Sequence, residues 1–197
     1  QHMTIYKDSK RVDFRTVIDW KEKHILLKVA FPVDIHTEKA TYDIQFGNVE
    51  RATHWNTSWD VAKFEVCGHK WADLSEDGYG VSLLNDCKYG HDIKDSIMRL
   101  TLLKSPTSPN EDADREVHEF TYSIYPHKGN WKDGQTVKEA FQLNVPLYTK
   151  LVKKEDVSIN KVKSGIKLPN QLSFIKVSDE NVIAEVCKVS EDGKDLV

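Results

Sequence analysis

Apolar and polar residues alternate along much of this chain with a period of two, the spacing of a strand that buries one face. Residues 40–46 show it cleanly, with Ala40, Tyr42, Ile44 and Phe46 on one side and Gly47-Asn48 ending the run. The alternation returns over residues 119–125, where Phe120, Tyr122 and Ile124 point inward and Pro126 is expected to stop the strand. Within residues 14–31, the runs F-R-T-V-I-D-W and H-I-L-L-K-V-A-F are split by Lys21-Glu22-Lys23 and predict a hairpin. Further strands are expected over residues 63–71, 81–84 and 96–103, with a turn at 75–80.

Two stretches break the pattern. Residues 51–60, R-A-T-H-W-N-T-S-W-D, hold no period and predict an ordered surface loop whose indoles need a surface to pack on. Residues 135–143 carry Val137, Ala140 and Phe141 at helical spacing, the one convincing helix. A long exposed loop is expected at 105–114, where Pro106 and Pro109 precede Glu111, Asp112 and Asp114.

Beyond it, the charged run 150–156 reads as a linker, and residues 157–162, 172–177 and 182–189 predict the opening of a second β unit. Many short strands and one helix mean an all-β chain. The expected architecture is a large antiparallel supersandwich over residues 4–149 and a partial second β-sandwich over 150–197. Residues 1–3 are set aside as a leader foreign to the fold.

Composition narrows the function classes. Lysine and arginine number 28 against 31 acids, a net charge of -3 spread along the chain, so neither nucleic acid nor an anionic membrane is an expected partner. Cys67, Cys87 and Cys187 are too few and too far apart for a disulfide framework or a zinc site, which suits a reducing, cytoplasmic compartment. No apolar run approaches the ~18 residues of a spanning helix, and the start of the chain does not read as a signal peptide.

Local catalytic motifs are missing. There is no H-E-x-x-H or C-x-x-C spacing for a metal, no G-x-S-x-G nucleophile elbow, and Gly78-Tyr79-Gly80 lacks the third glycine of a dinucleotide loop. The most informative stretch is residues 73–90, a turn, a short apolar strand and a polar exit loop holding Asn85, Asp86, Lys88 and Tyr89. From spacing, Asn85-Asp86 is either an Asx turn closed by Gly90 or part of a recognition surface. Trp55 and Trp59 read either as loop anchors or as a sugar-stacking platform.

Longer motifs carry more weight. The segments D-W-K-E-K-H-I-L-L-K-V-A-F-P-V-D (19–34), H-W-N-T-S-W-D (54–60), F-E-V-C-G-H-K-W-A-D-L-S-E (64–76), G-Y-G-V-S-L-L-N-D-C-K-Y-G (78–90), H-E-F-T-Y-S-I-Y-P-H-K-G (118–129) and A-F-Q-L-N-V-P-L (140–147) together resemble the C-terminal region of family 38 glycoside hydrolases, the α-mannosidases, closest to the cytosolic and vacuolar branch. Ala52, where that family more often has proline, is a departure bearing on loop stiffness.

The resemblance implies a galactose-mutarotase-like β-supersandwich from a retaining enzyme that hydrolyses terminal α-linked mannose. Its nucleophile, acid and divalent metal, zinc or cobalt, would belong to a catalytic barrel outside this stretch. No catalytic or metal-binding residue is therefore expected here. The implied partners are an α-mannoside oligosaccharide and the upstream catalytic and helical domains, and a homo-oligomer stays open. The compartment would be cytoplasmic, or vacuolar in a fungus. The exit loop would form one wall of the sugar site, with Asn85, Asp86, Lys88 and Tyr89 facing substrate and His54, Asn56, Trp59 and Asp60 in a second layer. Two other readings remain: an autonomous carbohydrate-binding module and a structural or oligomerisation domain.

Overall fold

The structure, a computed structural model, describes residues 1–151, 169–179 and 181–197. The chain divides into two compact units, Gln1–Tyr148 and Thr149–Val197.

The first unit is a sandwich of two antiparallel sheets. Its eleven strands are β1 (His2–Ile5), β2 (Val12–Asp19), β3 (Leu27–Pro32), β4 (Lys39–Ile44), β5 (Gly47–Ala52), β6 (Val66–Cys67), β7 (Trp71–Glu76), β8 (Tyr79–Asn85), β9 (Gly90–Lys94), β10 (Ile97–Leu103) and β11 (Val117–Lys128). Seven make one sheet in the order β1-β2-β11-β8-β7-β4-β5, and four make the other in the order β3-β10-β9-β6. Between them lies the main core, including Tyr42, Leu74, Leu83, Ile93, Met98, Leu100, Phe120 and Tyr122. Burying each such side chain contributes about 1.5–3 kcal/mol.

The all-β expectation is met, with several local corrections. Residues 14–31 are not a hairpin: β2 pairs with β1 and β11, whereas β3 pairs with β10 in the opposite sheet. The charged connection is a crossover between layers. His2 and Met3, set aside from the sequence, belong to the edge strand β1, which pairs with β2. Phe46 leaves the buried face of its run because Ile44 already pairs with Gly47, so Phe46 sits in the hairpin turn at φ 52, 98% exposed. The turn at 75–80 is shorter than expected, since Glu76 pairs with Tyr79 across Asp77-Gly78, and Gly78 takes the positive φ of 85 that this turn requires.

Pro126 does not stop its strand. β11 continues to Lys128, with Pro126 opposite Val81 of β8. Its pairing with β2 ends at Ile124, so the far side of the strand no longer needs an N–H there, and proline is tolerated.

The helix appears within one residue of its expected place as α2 (Thr136–Asn144), and a second, shorter helix, α1 (Ser58–Ala62), sits in the stretch expected to be loop. α1 exists because Thr57 and Asp60 form a reciprocal capping box. α2 packs on the outer face of the large sheet, where Trp71, Leu84 and Ala140 are buried beside Tyr125, Trp131, Val137 and Leu143.

In the second unit, the described residues carry one isolated bridge, Val189 to Leu196. Runs 172–177 and 182–189 have no strand ladder, and the run at 157–162 lies outside the described residues. Among the described residues no helix is long and apolar enough to cross a membrane.

Candidate functional site

β8 lies in the middle of the large sheet, hydrogen-bonded to β11 on one side and β7 on the other, and residues 80–85 of it are buried. What leaves its end is therefore held on a rigid base. Asn85 is fully buried and uses its polar groups on the protein: Nδ2 donates to the His69 carbonyl at 2.8 Å, Oδ1 accepts from the Lys88 N–H at 2.8 Å, and its carbonyl accepts from Asn144 Nδ2 at 2.9 Å. These bonds shape the loop. Asp86 continues the ladder past its last strand pair, because its N–H donates to the Thr121 carbonyl at 3.1 Å while Oδ2 accepts from the Thr121 N–H at 2.9 Å. Its second oxygen, Oδ1, is buried with no hydrogen-bond partner among the described residues.

The next residues turn outward. Lys88 holds its ammonium 4.6 Å from the centre of the Phe120 ring, and Tyr89 is 51% exposed with its ring 5.3 Å from that of His69. The Tyr89 carbonyl accepts from the Gly68 N–H at 3.0 Å, which fixes the loop against the approach to β7. Nearby, the backbone N–H of Ser105 heads the causes that lower the Asp114 carboxyl below its ordinary value, with Lys88 contributing by charge. The exit loop thus shows an aromatic pair and a half-buried ammonium, with the spare Asp86 oxygen buried beneath them.

His54, Asn56, Trp59 and Asp60 are elsewhere. β9 runs from Gly90, at the end of the exit loop, to Lys94, whose ammonium donates to the carbonyls of Ala52 at 2.8 Å and His54 at 3.1 Å. The two groups of sequence-predicted residues therefore lie toward opposite ends of a five-residue strand, about 13 Å apart at the strand rise. They do not make one constellation. His54 and Asn56 line an open groove of about 410 Å³ with His36, Thr37, Glu38, Thr53, Asp95 and Ser96. Asp60 caps α1, and the Thr57 hydroxyl is the first cause that holds its carboxyl below the ordinary value. Trp59 is 77% exposed, while Trp55 lies under the Lys94 ammonium at 4.7 Å.

The structure also assembles a polar knot that sequence reasoning missed. Under α2, Ser82 Oγ donates to Asp73 Oδ2 at 2.8 Å, His127 Nε2 lies 2.8 Å from the same oxygen, and Thr136 Oγ1 is 2.7 Å from Ser82 Oγ. All four residues are buried. A nucleophile sealed in this way meets no substrate, so the group fastens α2 to the sheet. Glycines make the room: a Cβ on Gly80 would lie 2.3 Å from His127 Cε1, and one on Gly134 2.4 Å from His127 Cγ. The available signal was a charged Asp73 between Ala72 and Leu74 in an apolar strand.

No group of three or more histidine, cysteine, aspartate or glutamate side chains converges on one point among the described residues. The divalent metal implied by the resemblance thus finds no ligand set in them, and no step of chemistry can be routed through it here.

Residues 1–112 match a family profile, the glycosyl hydrolases family 38 C-terminal domain. Over its whole length the chain is 43% identical to Alpha-mannosidase G of Dictyostelium discoideum, covering 17% of that protein. It is 52% identical to human Alpha-mannosidase 2C1 over 136 residues, which are 69% of this chain and 13% of the relative. Identity to an Alpha-mannosidase of Saccharomyces cerevisiae is 46% over 193 residues, again 17% of that protein. An alpha-mannosidase from Enterococcus faecalis V583 shares the fold over 73% of this chain and 17% of its own, with a TM-score of 0.67 and 20% identity. The chain thus spans less than a fifth of each of these proteins.

Proposed function

This chain belongs to glycosyl hydrolase family 38, and from that premise we propose that it is the C-terminal β domain of an α-mannosidase that removes terminal α-linked mannose from oligosaccharides. Bond cleavage is assigned to a catalytic domain outside these residues, together with its divalent metal, zinc or cobalt. The upstream domains and the oligosaccharide are the partners in this reading, and the cytoplasm is the compartment. It is supported by names that relatives matched over 96% or more of the chain carry and by three cysteines that are free thiols.

Within that enzyme, the exit loop after β8 supplies one wall of the mannoside site. The observation that carries this is its division of labour: Asn85 is consumed in holding the loop, while Tyr89 stands outward on that rigid base and the half-buried Lys88 lays its ammonium over the Phe120 ring beside it. An aromatic face covers C–H patches of a sugar ring, and an ammonium takes its hydroxyls. Asn85 is therefore a positioning residue, and His54, Asn56, Trp59 and Asp60 belong to a separate surface around the 410 Å³ groove and α1.

Steady-state kinetics on the protein that carries this chain in full test the wall. Tyr89→Ala and Lys88→Ala should each lower kcat/KM for an α-mannoside by roughly tenfold or more, the loss of one good contact, with unchanged thermal stability. Wild-type kinetics in both variants would remove the loop from the site.

A further inference from the structure

At the open seam between the two sheets, the edge strand β5 of one faces β6 and β9 of the other across a cavity of about 140 Å³ lined by residues that include Tyr42, Arg51, Val66, His91, Asp92 and Ile93. His91 is completely buried, and neither of its ring nitrogens has a hydrogen-bond partner among the described residues. Arg51 Nη1 and Asp92 Oδ1 are buried and lack partners in the same sense. Buried polar atoms left this way are destabilising, and native folds leave few of them. Four around one cavity argue that something polar completes them.

We propose that this seam cavity binds a small neutral polyhydroxylated molecule, a polyol or a single monosaccharide ring, held by Arg51, His91 and Asp92.

The class follows from what is spent and what is free. Of the other charges on the lining, Lys94 holds two backbone carbonyls, Asp60 holds Thr57 and Glu50 holds Lys39, while Lys63 is exposed at the C-cap of α1 and Asp92 Oδ2 faces Arg99, leaving Oδ1. The free set holds donors and acceptors together, a guanidinium N–H, a carboxylate oxygen and an imidazole that, when neutral, offers one of each. Burial and the Arg51 charge keep that imidazole neutral. An anion in the cavity would face Asp92 and a cation would face Arg51, whereas a hydroxyl can donate to one and accept from the other. Arg51 is itself held in place with its guanidinium carbon 4.7 Å over the Tyr42 ring. The volume equals that of about four or five liquid waters, the scale of one small ring, and Val66 and Ile93 offer apolar wall to its C–H edges. This cavity runs along β9 from His91, one residue past the exit loop, and does not depend on the mannosidase reading.

The test is a titration of the ¹⁵N-labelled chain with D-mannose and myo-inositol, reading the imidazole nitrogens of His91 by long-range ¹H–¹⁵N correlation. Saturable shifts at both nitrogens are expected, with apparent Kd raised roughly tenfold or more in Arg51→Gln. If that variant does not fold, the wild-type titration decides alone. Shifts that are absent, or linear in ligand up to the highest concentration, mean that water alone completes the cavity and overturn the proposal. Tighter binding of mannose 6-phosphate than of mannose would overturn the assignment to a neutral ligand.

Discussion

At the scale of single residues, His91 is one group through which this fold senses acid. Burial first, and then the Arg51 charge, lower its pKa from 6.5 to about 3. The folded chain therefore refuses a proton that the unfolded chain accepts, so stability is complete above pH 6.5 and falls as the pH drops from there toward 3. The slope should approach about 1.4 kcal/mol per pH unit from this residue. Urea unfolding at a series of pH values checks it, and His91→Gln should flatten the profile in that window. An unchanged profile would assign the acid sensitivity to other groups. Cys87 offers a second reading of local environment: although the residue is exposed, partial desolvation by its neighbours first, and then the Asp86 carboxylate, push its thiol up to about 11. Alkylation of Cys87 by iodoacetamide at pH 8 should accelerate on unfolding by roughly tenfold or more, since the thiolate is the nucleophile. Equal rates in the folded and unfolded chain would contradict that environment. Neither residue could be singled out from its neighbours in sequence. Asn85 and Asp86 could be, but their roles could not. Whether an Asn-Asp pair closes a turn or faces a ligand depends on distant backbone, here the His69 carbonyl and the Thr121 N–H, which no local pattern reports.

At the scale of elements, legibility followed how local the determining interaction is. Strands with one buried face, 40–44 and 119–125 among them, were readable from alternation, and α2 from helical spacing. Those set by partners elsewhere in the chain were not: β1 exists because β2 offers an edge, and β11 outlasts Pro126 because β2 has already ended. α2 illustrates the same dependence in energy. Its N-cap, Gln135, makes no side-chain cap bond, so the helix start relies on Thr136 reaching into the buried knot with Ser82, Asp73 and His127. Removing one partner strands the others in a buried place, so Asp73→Ala should lower unfolding stability by roughly 3 kcal/mol or more. Hydrogen exchange of the α2 amides should speed up with it. A variant with native stability and native α2 protection would mean that apolar packing on Trp71 and Leu84 alone seats the helix.

For the whole molecule, long ordered motifs carried what periodicity could not. Alternation delivers an all-β chain, and only the match over many segments connects it with family 38. A central strand with neighbours on both sides gives its exit loop a rigid base, while the described residues gather no metal ligands. The claim on which this account turns is that the loop after β8 touches the mannoside. The most direct measurement is photoaffinity labelling of the protein carrying this chain, using an α-mannoside with a photoreactive aryl group and mapping the adducts by mass spectrometry. Label is expected on the peptide containing Lys88 and Tyr89, competed away by free mannose. Label that spares residues 85–90 while remaining competable by mannose would contradict it.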